Sequence, residues 1–125
     1  MKKIQLIIER GADRKYWGRI TFKDNLLIDS ANNVSILEKK MKRILNDFHS
    51  KNDFDFEHVY DVSAFFDNFD FLNQSKIAKV AGINPALLRQ YASGIKFPSS
   101  IQAKKIEFAI HKLAKELSAV SFYTV

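Results

Sequence analysis

The spacing of apolar residues changes along the chain, and this change restricts the folds that the sequence can adopt. Where apolar and polar side chains alternate, the pattern is typical of a β-strand that buries one face. Alternation of this kind predicts four strands, over residues 3–9, 16–22, 26–29 and 54–62. Between the third and fourth strands, apolar residues from Val34 to Phe48 recur every three or four positions, which predicts an amphipathic helix. The first 63 residues are therefore predicted to form a β-β-β-α-β domain with one small core.

Turn and cap residues agree with these boundaries. The sequences Gly11-Ala12-Asp13 and Asp24-Asn25 supply turns between the first three strands. Asn33 can cap the helix, because its side-chain oxygen can accept a hydrogen bond from a backbone N–H of the first turn. Ser35 and Glu38 have the spacing of a capping box, in which each side chain bonds to the backbone of the other residue.

In the second half of the chain, cap residues and glycines mark short helices. Asn73 can cap one helix, which Gly82 ends, and Asn84 can cap a second, which Gly94 ends. Pro85 occupies the first position of the second helix, where its missing N–H costs nothing. These signals predict two consecutive short helices with a tight turn between them.

A third helix and a short tail complete this half. Ser99 and Gln102 form another predicted capping box. The apolar residues that follow recur at four, three and four positions: Ile106, Ile110, Leu113 and Leu117. Residues 119–125 are rich in β-forming side chains and predict a β tail that could pair with another chain. The predicted fold class is α+β, with domains at residues 1–63 and 73–125, a connecting segment at residues 64–72 that forms a short helix or turn, and a short C-terminal β tail.

Charge divides the chain at the same place. The net charge is +6, and from residue 73 onward eight basic residues face only two acidic ones, which accounts for the whole excess. The first 72 residues are neutral as a block, although residues 50–72 are acidic. A basic half is the expected footprint of a protein that binds a polyanion such as double-stranded DNA, because neutralised phosphates release counterions. A lysine-rich solvated helical surface explains the charge equally well, so charge alone does not decide.

Composition argues against several classes of protein. The chain has no cysteine, which excludes disulfides and thiolate zinc sites, and it has no run of about 18 apolar residues for a membrane helix. We therefore expect a cytoplasmic protein that does not enter membranes. Neither a GxGxxG nor a GxxxxGK motif is present, and no cofactor is expected. The three histidines, His49, His58 and His111, are far apart and are expected to be surface residues rather than metal ligands.

Carboxylates near the predicted strand ends raise the possibility of a metal-dependent nuclease. These residues are Glu9, Asp13, Asp24 and Asp29. Acidic residues near turns are mostly solvated turn formers, so neither a catalytic residue nor a metal site is expected. The sequence Asp53-x-Asp55-x-Glu57 resembles the start of a calcium loop, but it lacks the glycine and the final glutamate and is better interpreted as the outer face of a strand.

A set of residues in the second half has the order and spacing of a known DNA-binding motif. Gln74-Ser75-Lys76-Ile77-Ala78 is followed by Gly82-Ile83 and then by Leu88, Tyr91, Gly94 and Pro98. This order resembles the helix-turn-helix of the phage-repressor class, also called Cro/C1 or XRE. The buried residues would be Ile77, Ala78, Ile83, Leu88 and Tyr91, and Ala78 would let the two helices cross closely.

The outer face of the second helix then becomes the candidate recognition surface. Ala86, Arg89 or Gln90, and Ser93 share a face at three- to four-residue spacing, while Leu87 and Tyr91 point inward. Arg89 could donate twice to guanine, Gln90 could pair with adenine and Ala86 could contact a thymine methyl group. The resemblance places the base-reading positions of the family on Pro85, Ala86 and Gln90. Gln74, Ser75 and Lys96 would instead contact phosphates. The full set of expected DNA-binding residues is Gln74, Ser75, Pro85, Ala86, Arg89, Gln90, Ser93 and Lys96.

The whole chain resembles a second family, the HicB-type antitoxins. The resemblance rests on the strand sequences KIQLIIE and KYWGRI, on a helix that begins near Asn33, and on the helix-turn-helix that follows. The sequence KIEFAIHKLAKEL, followed by a short β tail, resembles the Bacteroidetes members of this family. The Pro-Gly-Cys-type loop and the Gly-Asp-Thr of the family are replaced here by Asn25-Leu26-Leu27 and Asn32-Asn33. The resemblance implies a partial RNase H-like domain that blocks a small, mRNA-cleaving HicA-type toxin. It also implies operator binding as a homodimer or larger assembly, and repression of the protein's own type II toxin-antitoxin operon.

Two other functions remain open at this point. The protein could be a stand-alone dimeric regulator without a toxin, or an interaction module with no role in nucleic-acid binding. Phenylalanines at positions 65, 66, 69 and 71 lie among acidic residues and suggest a partner surface, which a small basic toxin would suit.

Overall fold

The computed structural model describes residues 2–48 and 54–125 and has a mixed α+β fold. It forms two compact units, unit 1 (Met1–Asp70) and unit 2 (Phe71–Val125). His49 and Asp53, which the sequence patterns singled out, lie outside the described residues. The elements are β1 (Lys2–Arg10), β2 (Tyr16–Phe22), β3 (Asn25–Ala31), α1 (Val34–Phe48), β4 (Phe54–Tyr60), α2 (Val62–Asn68), α3 (Gln74–Ala81), α4 (Pro85–Ser93) and α5 (Ser100–Ser118).

The four strands of unit 1 form one mixed sheet in the order β3-β2-β1-β4. β1 and β2 pair antiparallel, as do β2 and β3, while β1 and β4 pair parallel. The helix α1 supplies the crossover that a parallel pair needs. All four predicted strands are confirmed, but β4 ends at Tyr60 rather than at residue 62. Its end is set by Asp61, whose carboxylate accepts a hydrogen bond of 2.6 Å from the N–H of Ala64 and so starts α2 instead.

The core of unit 1 lies between one face of the sheet and α1. Leu6 and Ile8 from β1 and Ile20 from β2 are fully buried together with three residues of α1, Leu37, Met41 and Leu45. Burial of each such side chain contributes about 1.5–3 kcal/mol. At the centre of β2, a Cβ on Gly18 would lie 3.1 Å from side-chain atoms of Leu37 and Leu6, so the glycine permits the close packing of α1. On the opposite face of the sheet, Trp17, Leu26 and Ile28 are exposed.

The start of α1 differs from the sequence expectation in one respect. Asn33 caps the helix as predicted, and its side-chain oxygen accepts a hydrogen bond of 2.8 Å from the N–H of Ile36. The predicted capping box of Ser35 and Glu38 is wrong, because the cap lies two residues before Ser35. The Glu38 carboxylate instead lies 3.2 Å from Nε2 of His58 on β4.

The acidic and aromatic segment after β4 packs within unit 1. Ala64 and Phe66 of α2 are buried, and the ring of Phe65 meets that of Tyr60 edge to face at 6.0 Å. Asp67 accepts a hydrogen bond from the Tyr16 hydroxyl and lies 3.3 Å from the Arg10 guanidinium. Burial, together with the Asp67 carboxylate, raises the pKa of Tyr16. The short helix expected in the segment at residues 64–72 is therefore present as α2, but it packs in unit 1 and is not only a connection.

Unit 2 consists of the three helices α3, α4 and α5. The five residues expected to fill its core are all buried: Ile77, Ala78, Ile83, Leu88 and Tyr91. The predicted capping box at the start of α5 forms only in part. The N–H of Gln102 donates to the Ser99 hydroxyl at 3.2 Å, but the buried Oε1 of Gln102 has no hydrogen-bond partner among the described residues.

The predicted C-terminal β tail is wrong for the single chain. After α5 ends at Ser118, the described residues 119–125 form no strand, since a strand requires a second strand to complete its hydrogen bonds. None of the helices within the described residues is long and apolar enough to cross a lipid bilayer.

The turn between β1 and β2 gives a testable pH dependence, because its Asp13 bonds to Trp17 of β2, the one tryptophan of the chain. The backbone N–H of Lys15 and the indole N–H of Trp17 both donate to Asp13, and together they hold the pKa of that carboxyl below its ordinary value of 3.8. The stabilisation from these bonds is present above the ordinary pKa and is lost as pH falls through the lowered one. We expect the fluorescence of Trp17 to titrate with a midpoint below 3.8.

Asp13→Asn should abolish this titration, because the titrating group is removed. Asp24→Asn changes an acidic residue in the next turn and should leave it intact. A midpoint at or above 3.8, or a titration that survives Asp13→Asn, would contradict the assignment.

Candidate nucleic-acid interface

The turn between α3 and α4 is fixed by a glycine in the left-handed conformation. Gly82 has φ 71° and ψ 35°, a region that residues with a Cβ rarely adopt. The N–H of Ile83 donates to the carbonyl of Ala78 at 2.9 Å and the N–H of Gly82 to that of Lys79 at 3.3 Å. This pair of bonds is a Schellman motif, which ends a helix and satisfies its last carbonyls. Only three residues separate α3 from α4, so the direction of α4 depends on this turn.

The start of α4 is fixed by its cap. The side-chain oxygen of Asn84 accepts hydrogen bonds from the N–H groups of Ala86 at 2.8 Å and Leu87 at 3.4 Å. Pro85 occupies the first helical position, as the sequence predicted. At the other end, Gly94 has φ 83°, and the N–H of Ile95 donates to the carbonyl of Gln90 at 3.0 Å. Both ends of the nine-residue helix α4 are thus held by specific hydrogen bonds.

The two sides of α4 differ in exposure. Leu88 and Tyr91 are buried against the rest of unit 2, and Leu87 is half-buried beside them. Pro85, Ala86, Arg89 and Ser93 are exposed, and their spacing of three and four residues places them on one face. α4 therefore presents to solvent most of the residues that the sequence predicted for base contacts.

Two predicted contacts are less available than the sequence suggested. Gln90 is half-buried rather than exposed, because it lies at the edge between the inner and outer faces of α4. The hydroxyl of Ser93 donates a hydrogen bond of 3.1 Å to the backbone carbonyl of Gln90. Among the predicted base-contacting residues, Arg89 is consequently the exposed one with several free donors.

The predicted phosphate-contacting residues lie at two places in unit 2. Gln74 and Ser75 begin α3, with Gln74 half-buried and Ser75 exposed. Asn73 accepts the N–H of Lys76 at 3.1 Å, while the N–H groups that precede it in the first turn have no acceptor inside the helix. Lys96 is exposed just after Gly94, and its N–H donates to the carbonyl of Gln90 at 3.3 Å.

Electrostatics distinguishes this surface from that of unit 1. Among the residues that the structure describes in unit 2, the one ion pair is between Lys104 and Glu107, which lie 3.9 Å apart on the surface of α5. The remaining basic side chains, Arg89 among them, are uncompensated. In unit 1, by contrast, twelve basic residues are balanced by twelve acidic ones, and Arg10, Arg19 and His58 each lie within 4 Å of a carboxylate.

Two lysines near the site were not assigned a role from the sequence. Lys76 and Lys79 are exposed on α3, next to the predicted Ser75. Lys76 belongs to the motif sequence of residues 74–78 and Lys79 lies just after it, and the charge of each entered only the total for the second half. Counting charges on each helix face separately would have identified both residues as candidate phosphate contacts.

The carboxylates considered for a metal site do not meet in space with other ligands. Within residues 2–48 and 54–125, no group of three or more histidine and acidic side chains could hold a metal ion. Asp13 bonds to the backbone of Lys15 and the indole of Trp17, and Glu9 lies 2.9 Å from the Arg19 guanidinium. Asp29 bonds to the N–H of Ser30 at 2.7 Å. These acidic residues therefore have structural partners in turns and strands.

Substitution of Gly82 tests the turn on which the position of α4 depends. No heavy atom lies within 4 Å of the place that a Cβ would occupy, so Gly82→Ala adds backbone strain without a steric clash. The left-handed conformation costs a residue with a Cβ about 1–2 kcal/mol. We expect hydrogen exchange of the amides of residues 83–93 to accelerate by roughly 5–30-fold, which corresponds to that energy.

Gly82→Asn should have a smaller effect, because asparagine tolerates the left-handed region better than alanine. Lys79→Ala, an exposed substitution one turn earlier, should change exchange little. Equal exchange in the wild type and Gly82→Ala would show that the turn does not need this conformation.

Comparison with protein-family models, with curated proteins and with solved structures found no match for this chain. Inference of a function therefore rests on the exposure, charge and helix geometry described above.

Proposed function

We propose that the protein is a regulator that binds double-stranded DNA with α4 in the major groove, as a helix-turn-helix. The observation that carries the proposal is the exposed face of α4, where Arg89 projects without an acidic partner among the described residues. A helix of nine residues is about 13 Å long, which suits a groove about 12 Å wide. The three-residue connection that contains Gly82 also has the length typical of this motif.

Direct base recognition in this proposal depends mainly on Arg89. A guanidinium can donate two parallel hydrogen bonds to O6 and N7 of guanine, which discriminates guanine from other bases by about 1–3 kcal/mol. Pro85 and Ala86 have no side-chain donor or acceptor, and they would contribute van der Waals contacts such as those with a thymine methyl group. Gln90 and Ser93 flank Arg89 and would contribute at the edge of the contact. Specificity would then combine one strong base contact with DNA shape.

Phosphate contacts would position unit 2 on the duplex. The first turn of α3, with Gln74, Ser75 and Lys76, combines free backbone N–H groups with a positive helix end. Lys96 follows α4 on the exposed surface. Eight basic residues against two acidic ones in residues 73–125 favour association with a polyanion at low salt.

We further propose that the regulator is a HicB-type antitoxin that represses its own operon in the cytoplasm. The β-β-β-α-β order of β1 to β4 with α1 is the order that the resemblance to this family implies, and it supports the proposal. Its partner would be a small, basic HicA-type toxin. Asp67 is engaged by Arg10 and Tyr16, so within residues 54–72 the other exposed carboxylates, which could face such a toxin, are Asp55, Glu57 and Asp70.

DNA binding can be tested by fluorescence anisotropy with the DNA upstream of the protein's own coding sequence and a scrambled duplex. Arg89→Ala should weaken binding to the upstream DNA by about 1–3 kcal/mol. Arg89→Lys should lose most of the preference for the upstream DNA over the scrambled duplex, because lysine cannot donate two parallel hydrogen bonds to guanine. Gln90→Ala should have a smaller effect than Arg89→Ala, since Gln90 is half-buried. Lys96→Ala should weaken binding to both duplexes and lower the salt slope by about one.

Lys112→Ala is the matched control, because it removes one exposed positive charge from α5 rather than from α4. It should leave the ratio of the two affinities unchanged. Absence of binding by the wild type at low salt would refute the DNA-binding proposal, and an unchanged ratio in Arg89→Ala would refute the role of α4.

The antitoxin role has a separate test. Co-expression with the small open reading frame next to this gene should yield a stable complex and relieve growth inhibition by that neighbour. The charge-reversed variant with Asp55→Lys and Glu57→Lys should weaken the complex, whereas Asp24→Lys, in a turn of the same unit, should not. If DNA binds but no neighbour forms a complex, the protein is a stand-alone regulator.

A further inference from the structure

The inner side of α5 changes from buried to exposed along the helix. Ile106 is buried and Ile110 and Leu113 are half-buried, but Leu117, on the same face one turn later, is 69% exposed. α5 has 19 residues, whereas α3 has eight and α4 has nine, so its last turns extend beyond the helices that could cover them. An apolar stripe thus continues past the core of unit 2.

The residues after α5 add to this stripe. Val120 is 55%, Phe122 89% and Tyr123 88% exposed, and Val125 is fully exposed. Leu117, Val120, Phe122, Tyr123 and Val125 together are called the C-terminal apolar surface. The N–H of Val120 still donates to the carbonyl of Leu117 at 3.1 Å. Among the described residues, however, the backbone of residues 121–125 makes no hydrogen bond to another part of the chain.

We infer that a second copy of this chain covers the C-terminal apolar surface, with the two tails paired as antiparallel strands across the ends of the two α5 helices. The available area fits a stable dimer. Phe122 and Tyr123 can each bury about 150–250 Å². With the three aliphatic residues, the area approaches the roughly 800 Å² per partner of a standard interface.

Symmetry favours a second copy over an unrelated partner. Each chain supplies one β-forming tail without backbone partners and one uncovered apolar stripe, so a twofold dimer could satisfy the backbone of both tails and cover both stripes with a single contact. A ribbon of two strands is marginal by itself but is stabilised when it packs against helices, which the two α5 ends provide. The β-forming composition of residues 119–125 is thereby explained, although the single chain has no strand there.

Two of the four lysines of α5 lie away from the proposed contact. Lys104 and Lys115 share a face with Phe108, at spacings of four and seven residues, on the side opposite to Ile106 and Leu113. Packing against the inner side therefore keeps these lysines away from those of the other copy. Binding to a pseudo-palindromic DNA site requires a dimer, and this inference names the interface of that dimer. The biological role of the interface therefore rests on the proposed function.

The inference can be tested without DNA, by light scattering and sedimentation of the full chain. The wild type should have twice the chain mass of 14.4 kDa at micromolar concentration. Leu117→Glu should raise the dimer dissociation constant by at least about 100-fold, because it places a charge in an apolar contact in each copy. Removal of residues 120–125 should have a similar effect and leaves every buried residue of unit 2 in place.

Phe108→Glu is the matched control, because Phe108 is also 69% exposed and lies on the opposite side of the same helix. It should leave the dimer intact, and circular dichroism should show that each variant keeps its helices. A monomeric wild type, a dimer that survives both Leu117→Glu and removal of the tail, or equal dissociation by Phe108→Glu would overturn the inference. Protection of the tail amides in a monomer would indicate docking on the sheet edge of the same chain, which also overturns it.

The two proposals can fail separately. A dimer that dissociates as expected but binds no DNA refutes the proposed function alone. DNA binding by a protein whose dimer does not depend on Leu117 or on the tail refutes this interface alone.

Discussion

The left-handed turn at Gly82 is the constraint on which the candidate interface depends. Its two hydrogen bonds end α3, and three residues later the Asn84 cap begins α4. With the start of α4 fixed, its rotation is set by burial of Leu88 and Tyr91, and that rotation leaves Arg89 in solvent. Exposure of Arg89 is therefore a consequence of backbone geometry and core packing, and it requires no interaction made by Arg89 itself.

Local signals in the sequence were sufficient for most of this architecture. Alternation predicted the four strands, and caps such as Asn73, Asn84 and Ser99 predicted the helix starts, because a cap acts through neighbouring backbone groups. Features that depend on distant residues were missed. Glu38 pairs with His58 from another element instead of capping α1, and Asp67 is engaged by Arg10 and Tyr16 rather than free for a partner. These contacts become visible only when β1, β2, β4 and their helices are assembled.

The candidate site shows the same division. Spacing correctly placed Ala86, Arg89 and Ser93 on one exposed face, because the period of a helix fixes which residues share a side. It did not show that Gln90 is half-buried at the edge of that face, since the width of the contact depends on the packed neighbours of α4. The tail was misjudged for a related reason. Its composition favours a strand, but a strand needs a partner that one chain does not supply.

The charge of unit 2 and the small size of its core both favour binding to a partner. Its buried apolar residues are few, while large apolar side chains of α5 and the tail remain in solvent. Its basic residues repel one another with little compensation, a cost that salt screens only in part. In the proposed function, a polyanion on the α4 side would lower the repulsion, and in the inferred dimer a second copy at the end of α5 would extend the core. A partner that binds only the folded state stabilises it by mass action, so each of the two proposed partners would stabilise unit 2.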